Sequence, residues 1–143
     1  MTRIDFYSGS TDRLRTACLL SNKAMQNNVR VVLSSDDVAH LSALEKLLWQ
    51  YPPTGFIPHC RSDADDAAHT PVVLHHGGSN LPHHELLISL HRESPAFFSR
   101  FERVIEIVSQ DSEDSRMARE RYKFYLDRGY EITHVDLNES RAS

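Results

Sequence analysis

Strand-like and helix-like stretches alternate along almost the whole sequence, and that alternation leaves few folds open. Residues 3–7 (Arg3, Ile4, Asp5, Phe6, Tyr7) alternate apolar and polar side chains as a half-buried strand does. Residues 8–12 read as a turn with good helix-capping side chains. Leu14, Ala17, Cys18, Leu20, Ser21, Ala24 and Met25 then recur at the helical period until Asn27 and Asn28 stop them. Residues 29–33 (Val29, Arg30, Val31, Val32, Leu33) are the β-branched run of a buried strand. Residues 34–37 cap a second helix, expected to turn Val38, Leu41, Leu44, Leu47, Leu48 and Trp49 to its core side. Residues 71–74 and 86–90 read as short strands with a turn at 75–80 between them. A short helix over 95–101 and a strand over 103–108 follow. A long helix and a last strand over 130–136 close the domain. The order β-α-β-α-β-β-α-β-α-β predicts an α/β domain with an open, mostly parallel sheet and helices on both faces.

A chain of 143 residues holds one such domain, expected over 1–137 with a polar tail at 138–143. Residues 51–59 contain three prolines and read as a rigid, extended connection. Residues 61–70 are polar and acidic and read as a mobile loop. No apolar run approaches a membrane span, and the first residues lack the basic-then-apolar pattern of a secretory leader. Cys18 and Cys60, two thiols without a disulfide pattern, suit a reducing compartment. A cytoplasmic location is therefore expected.

The long helix is the most informative segment. Asp111, Ser112 and Asp114 offer N-caps, and Gly129 suits the left-handed residue that ends a helix. At about 100° per residue, Met117, Ala118, Tyr122, Phe124, Tyr125 and Leu126 share one broad arc. Arg116, Arg119 and Lys123 fall on the next. Residues 116–128 hold five basic side chains (Arg116, Arg119, Arg121, Lys123, Arg128) and two acidic ones (Glu120, Asp127). Such a ledge beside an aromatic strip suits a ligand both acidic and apolar. Surface helices also carry snorkelling cations beside a core face, so the pattern alone does not separate the two readings.

Chemistry is otherwise sparse. The chain has no phosphate-binding glycine loop, neither GxxxxGK[ST] nor GxGxxG after a strand, which argues against nucleotide binding. No nucleophile elbow is present, and Asp36, Asp37, Asp63, Asp65 and Asp66 read as caps and loop solvation. Nine histidines include the pairs His75-His76 and His83-His84, but adjacent residues point apart, so a solvated loop explains them better than a metal. Neither an active site nor a cofactor is expected. The net charge of −4 means that any contact with nucleic acid or an acidic peptide needs a local basic patch.

Three pieces of sequence together resemble the chi subunit family of bacterial DNA polymerase III. They are residues 3–7; Leu48-Trp49 with Pro52 and residues 55–59 (Gly55, Phe56, Ile57, Pro58, His59); and the stretch from 101–108 through 118–123 to 128–131. Pro95 and Phe98 fit the same pattern, and the pieces run in family order over nearly the whole chain. The resemblance implies a nucleotide-binding-like α/β fold without catalysis of its own. It implies two partners, the psi subunit of the clamp loader and the acidic, phenylalanine-ended tail of single-stranded DNA-binding protein. For the tail it points to Arg119 as the carboxylate partner, Val108 and Tyr122 as the apolar seat, and Arg116 and Lys123 as added positive potential. For psi it points to Trp49 and Phe56. Members of the family often carry a basic residue where this chain has Ser115, and the nearby acids Asp111, Glu113 and Asp114 are expected to repel an acidic tail.

Three readings follow. The first is an adaptor between single-stranded DNA-binding protein and the clamp loader, meeting DNA mainly through its partners and no membrane. The second is a stand-alone single-stranded nucleic-acid-binding domain using the basic helix over 111–128, with a steep salt dependence. The third, an α/β enzyme with an unusual site, needs converging acids or bases that the sequence does not offer.

Overall fold

The computed structural model describes residues 2–50, 57–76 and 81–137. Its strands are β1 (Arg3–Ser10), β2 (Val31–Ser34), β3 (His59–Arg61), β4 (Val72–His75), β5 (Leu86–Ser89), β6 (Arg103–Ser109) and β7 (Glu131–Asp136). They form one sheet in the order β3-β4-β2-β5-β6-β1-β7, and every neighbouring pair is parallel. Parallel neighbours need long crossovers. Three of these carry helices: α1 (Arg13–Gln26) after β1, α2 (Val38–Gln50) after β2 and α3 (Ser112–Asp127) after β6. The expected open α/β sheet is therefore present, parallel throughout.

The sheet is covered on both faces. Leu33, Leu74, Ile88, Ile105 and Ile107 pack beneath Ala17 and Cys18 of α1 and Leu41, Leu44 and Leu48 of α2. On the other face Ile4, Phe6, Val73, Leu87, Val104 and Val108 pack against Ala118 and Tyr125 of α3 and against Phe98 and Phe101. Burial pushes the Cys18 thiol up to about 12, helped by Asp12, so the group stays protonated. Asp12 caps α1 by accepting from the Arg15 N–H, and Asp111 caps α3 by accepting from the Asp114 N–H. Gly129 ends α3 at φ 79°, with no atom near a Cβ placed there, so its requirement is conformational alone. The Gly129 and Tyr130 N–H groups return to the carbonyls of Leu126 and Tyr125.

Several expectations need correction. The connection and loop over 51–70 contain an edge strand, β3, and a 3-10 turn (Ala67–His69) with Ala67 buried. Its three half-exposed residues show no alternation of burial, so β3 depends on its pairing with β4. The short helix at 95–101 is a single 3-10 turn (Phe98–Arg100). Val38 and Trp49 leave the core face of α2 and are 56% and 64% exposed. His75 and His83 are buried, not solvated: His75 ends β4 with Nδ1 3.0 Å from Ser62 Oγ.

The largest correction concerns α3. Its buried face carries Arg121 at 3% exposure, while Tyr122 and Leu126 of the expected apolar arc are 40% and 56% exposed. Arg121 Nε donates to Glu106 Oε1 at 3.0 Å, and Nη1 donates to the Arg92 carbonyl at 2.9 Å. The Tyr125 hydroxyl donates to Glu106 Oε2 at 2.7 Å and accepts from Ser94 Oγ at 2.9 Å. Burial pushes the Glu106 carboxyl above its ordinary value, against the pull of Arg121 and Tyr125. Replacing Arg121 leaves that carboxylate buried without its cation. Arg121→Met is expected to lower stability by about 3–5 kcal/mol in urea denaturation. Adding Glu106→Gln to it is expected to restore more than half of the loss, because a neutral amide needs no counter-charge and still accepts from Tyr125. A single-variant cost below about 1 kcal/mol would contradict this account of how α3 is held.

Candidate functional site

A cleft of about 430 Å³ lies on the α3 face of the sheet. Its floor is Phe6 of β1 and Val108 of β6, both buried. Ala118, Tyr122, Arg119 and Ser115 of α3 form one wall. Ser8 of β1 and His134 of β7 form the other. The Phe6 and Tyr122 rings meet edge-on at 5.3 Å, which holds the half-exposed tyrosine over the floor.

Local backbone geometry sets this floor. The register of β1 against β6 runs in step from Arg3–Arg103 to Tyr7–Ile107 and then slips, so that Ser10 faces Ser109. Ser8 and Gly9 thus oppose Val108 alone, with Gly9 at φ 77°. One extra residue with a left-handed glycine is a bulge, and bulges re-aim neighbouring side chains. Ser8 and Val108 meet in the cleft at this irregularity.

Of the predicted tail-site residues, Val108, Arg119 and Tyr122 come together in the cleft and Arg116 and Lys123 do not line it. Arg116 donates to Glu113 at 2.6 Å and reaches Glu120 at 3.5 Å, so its charge is shared along the exposed helix surface. Lys123 is exposed one residue beyond Tyr122. Arg128 lies over the Phe124 ring, 3.7 Å from its centroid. With Arg121 buried, the basic ledge is much narrower than its composition suggests.

The acidic run at the start of α3 is also engaged within the fold. Asp111 serves as the cap, Asp114 accepts from the Ser109 N–H at 2.7 Å and pairs with Arg13 at 3.0 Å, and Glu113 pairs with Arg116. Arg116 holds the Glu113 carboxyl below its ordinary value. The expected repulsion of an acidic ligand is correspondingly reduced. Ser115 lines the cleft where a basic residue would add charge, and its hydroxyl donates to the Ser109 carbonyl at 3.4 Å.

Sequence reasoning did not single out Phe6, Ser8 or His134 for this site. Their alternation places them on one face of their strands, but only the pairing of β1 with both β6 and β7 brings them beside α3.

A larger cleft of about 1010 Å³ opens where the chain leaves β5, beside Asp36, His91, Arg92 and Phe97. Two of its charges, Asp36 and Arg92, pair with each other at 3.2 Å. Although burial pushes the Asp36 carboxyl up, the Arg92 N–H and guanidinium hold it below its ordinary value. Burial pushes the His91 ring down, and its Nε2 lies 2.7 Å from Ser34 Oγ. Ser34 is fully buried, so this pair presents no nucleophile to a substrate. No group of three or more His, Cys, Asp or Glu side chains that could hold a metal occurs among the described residues. No helix among them is long and apolar enough to cross a membrane.

Of the predicted psi-contact residues, Trp49 stands out at the end of α2, with His59 of β3 edge-on at 6.0 Å. Phe56 lies outside the described residues.

Comparison with known proteins bears on the whole chain. The profile of the family described as "DNA polymerase III chi subunit, HolC" matches residues 1–133. A DNA polymerase III subunit chi from Pseudomonas aeruginosa is 38% identical over 136 residues, covering 92% of this chain and 94% of that protein. The subunit chi of Haemophilus influenzae is 31% identical over 118 residues, covering 82% of each chain. That of Escherichia coli is 25% identical over 116 residues, covering 80% of this chain and 79% of its own.

Proposed function

This chain belongs to the DNA polymerase III chi subunit family, and we propose that it acts as a non-catalytic accessory subunit of the replicative holoenzyme, linking the clamp loader to the C-terminal tail of single-stranded DNA-binding protein. The observation that carries this reading is the meeting of Arg119, Tyr122 and Val108 in one cleft. The apolar floor suits an aromatic side chain. Arg119 at the rim suits the carboxylate of the same terminal residue, where a guanidinium fork adds geometry to charge. Lys123, just outside, adds potential for the tail's aspartates. DNA synthesis belongs to the assembled holoenzyme, and the subunit works in the cytoplasm.

The psi subunit is the proposed partner at the opposite sheet edge. A tryptophan 64% exposed at a helix end is the kind of side chain that anchors an interface. The alternative, direct capture of single strands by the basic helix, is disfavoured by the charge placement. Arg121 is buried against Glu106, Arg116 is paired with Glu113, and Arg128 lies over Phe124. A stripe that tracks phosphates needs its cations free to meet them, and here one is buried and two are engaged within the helix.

Calorimetric titration with a peptide copying the last ten or so residues of single-stranded DNA-binding protein tests the tail site. Low-micromolar binding is expected. Arg119→Ala, or removal of the peptide's terminal phenylalanine, is expected to weaken it by roughly tenfold or more. Binding of naked single strands at low salt with no response to the peptide would favour the nucleic-acid reading. Trp49→Ala is expected to abolish co-purification with psi while leaving peptide affinity unchanged, because the two sites occupy different ends of the sheet. Loss of both together would place them on one surface and contradict the two-site arrangement.

A further inference from the structure

Opposite the α3 wall, the cleft has a side to which the tail reading assigns no task. His134 of the edge strand β7 lines it, with Ser8 of β1. Phe6 and His134 are register partners on adjacent strands, so both emerge on the sheet face beneath α3. Ser8 Oγ lies 2.7 Å from His134 Nε2, which fixes the ring at the groove side. His134 is exposed on this side of the cleft. The titratable groups that line the cleft are Arg119 and Tyr122 from α3 and His134 from β7. Asp136 lies two residues further along the same face of β7 as the register partner of Ser8, and β1 and β6 bring only Phe6, Ser8 and Val108 to the lining.

We infer that His134 is a second anion-recognition residue of this cleft, positioned by Ser8, so that a terminal carboxylate beside an aromatic side chain is held between β7 and Arg119 of α3. The inference rests on the tail-binding reading of the same cleft. Its chemistry is specific. A neutral imidazole offers one N–H donor, whereas the protonated ring offers two, one for Ser8 and one for a carboxylate, together with a positive charge. An anionic ligand therefore favours the protonated ring. By linkage, affinity rises as pH falls through the imidazole range, and the titration midpoint of the ring rises on binding. Carboxylates and guanidinium groups as classes keep their charges across that range, so the change isolates the imidazole.

The test uses the full chain and the tail peptide at pH 8 and pH 6, with the His134 ring proton followed by NMR. Binding is expected to be roughly two- to fivefold tighter at pH 6, the scale of a partly exposed charge pair. His134→Gln keeps a hydrogen-bonding side chain without the titration. It is expected to remove this pH dependence. The ring midpoint of the parent protein is expected to move upward with saturating peptide. An unchanged pH dependence in His134→Gln, or a midpoint that saturating peptide does not move, overturns the inference while the tail site stands. Absence of peptide binding at both pH values removes the tail site, and the inference falls with it.

Discussion

The buried pairing of Glu106 with Arg121 sets the rotation of α3, and the rotation of α3 decides what the cleft can be. A charge taken out of water is tolerable only where its partner and further hydrogen bonds meet it in good geometry. Here Arg121 finds Glu106 and the Arg92 carbonyl, and Tyr125 completes the carboxylate from the next turn. With Arg121, Ala118 and Tyr125 pointing inward, helical geometry turns Tyr122, Ser115 and Arg119 together to one flank and Met117 and Phe124 to the other. The first flank borders the cleft, and Met117 and Phe124 border the clefts beside Ser94 and Glu93. A helix rotated by one residue would present a different chemistry to the same strands.

That arrangement also bears on how a protein of net charge −4 could bind the acidic ligand proposed for it. The acids near the cleft are committed to structure: Asp111 to the helix cap, Asp114 to the Ser109 amide and Arg13, Glu113 to Arg116. The local potential then depends on a few side chains and not on the sum over the helix. This narrowness favours recognition of a short, ordered terminus over a long polyanion, because a polyanion needs many dispersed cations.

Much of the fold was legible before any coordinates. The strands over 3–7, 29–33, 71–74, 86–90 and 103–108 and the three long helices follow from periods of 2 and 3.6, which survive in the structure because each element buries one face. What was not legible has a common cause. β3 is three half-exposed residues whose strand character exists only through β4. Trp49 and Val38 lie at the two ends of α2, and their exposure depends on where the covering layer stops. Ser8 and His134 are separated by 126 positions and meet because β1 and β7 pair. The resemblance placed Arg119, Tyr122 and Val108 at one site before the strand order was known, but it included Arg116 and Lys123, which lie outside the cleft lining.

The sequence by itself determined the alternation of elements, hence a parallel α/β sheet, and the concentration of basic and aromatic residues on α3. It did so because periodicity is local: a helix or strand announces its spacing within a few residues. Only the tertiary structure decided which of those basic residues faces solvent. A helical period gives the angle between two side chains but not the direction of the core, and a rule that places apolar residues inward would have left Arg121 outside. Its burial depends on Glu106, supplied by a strand fifteen residues earlier and available only once that strand lies beneath the helix.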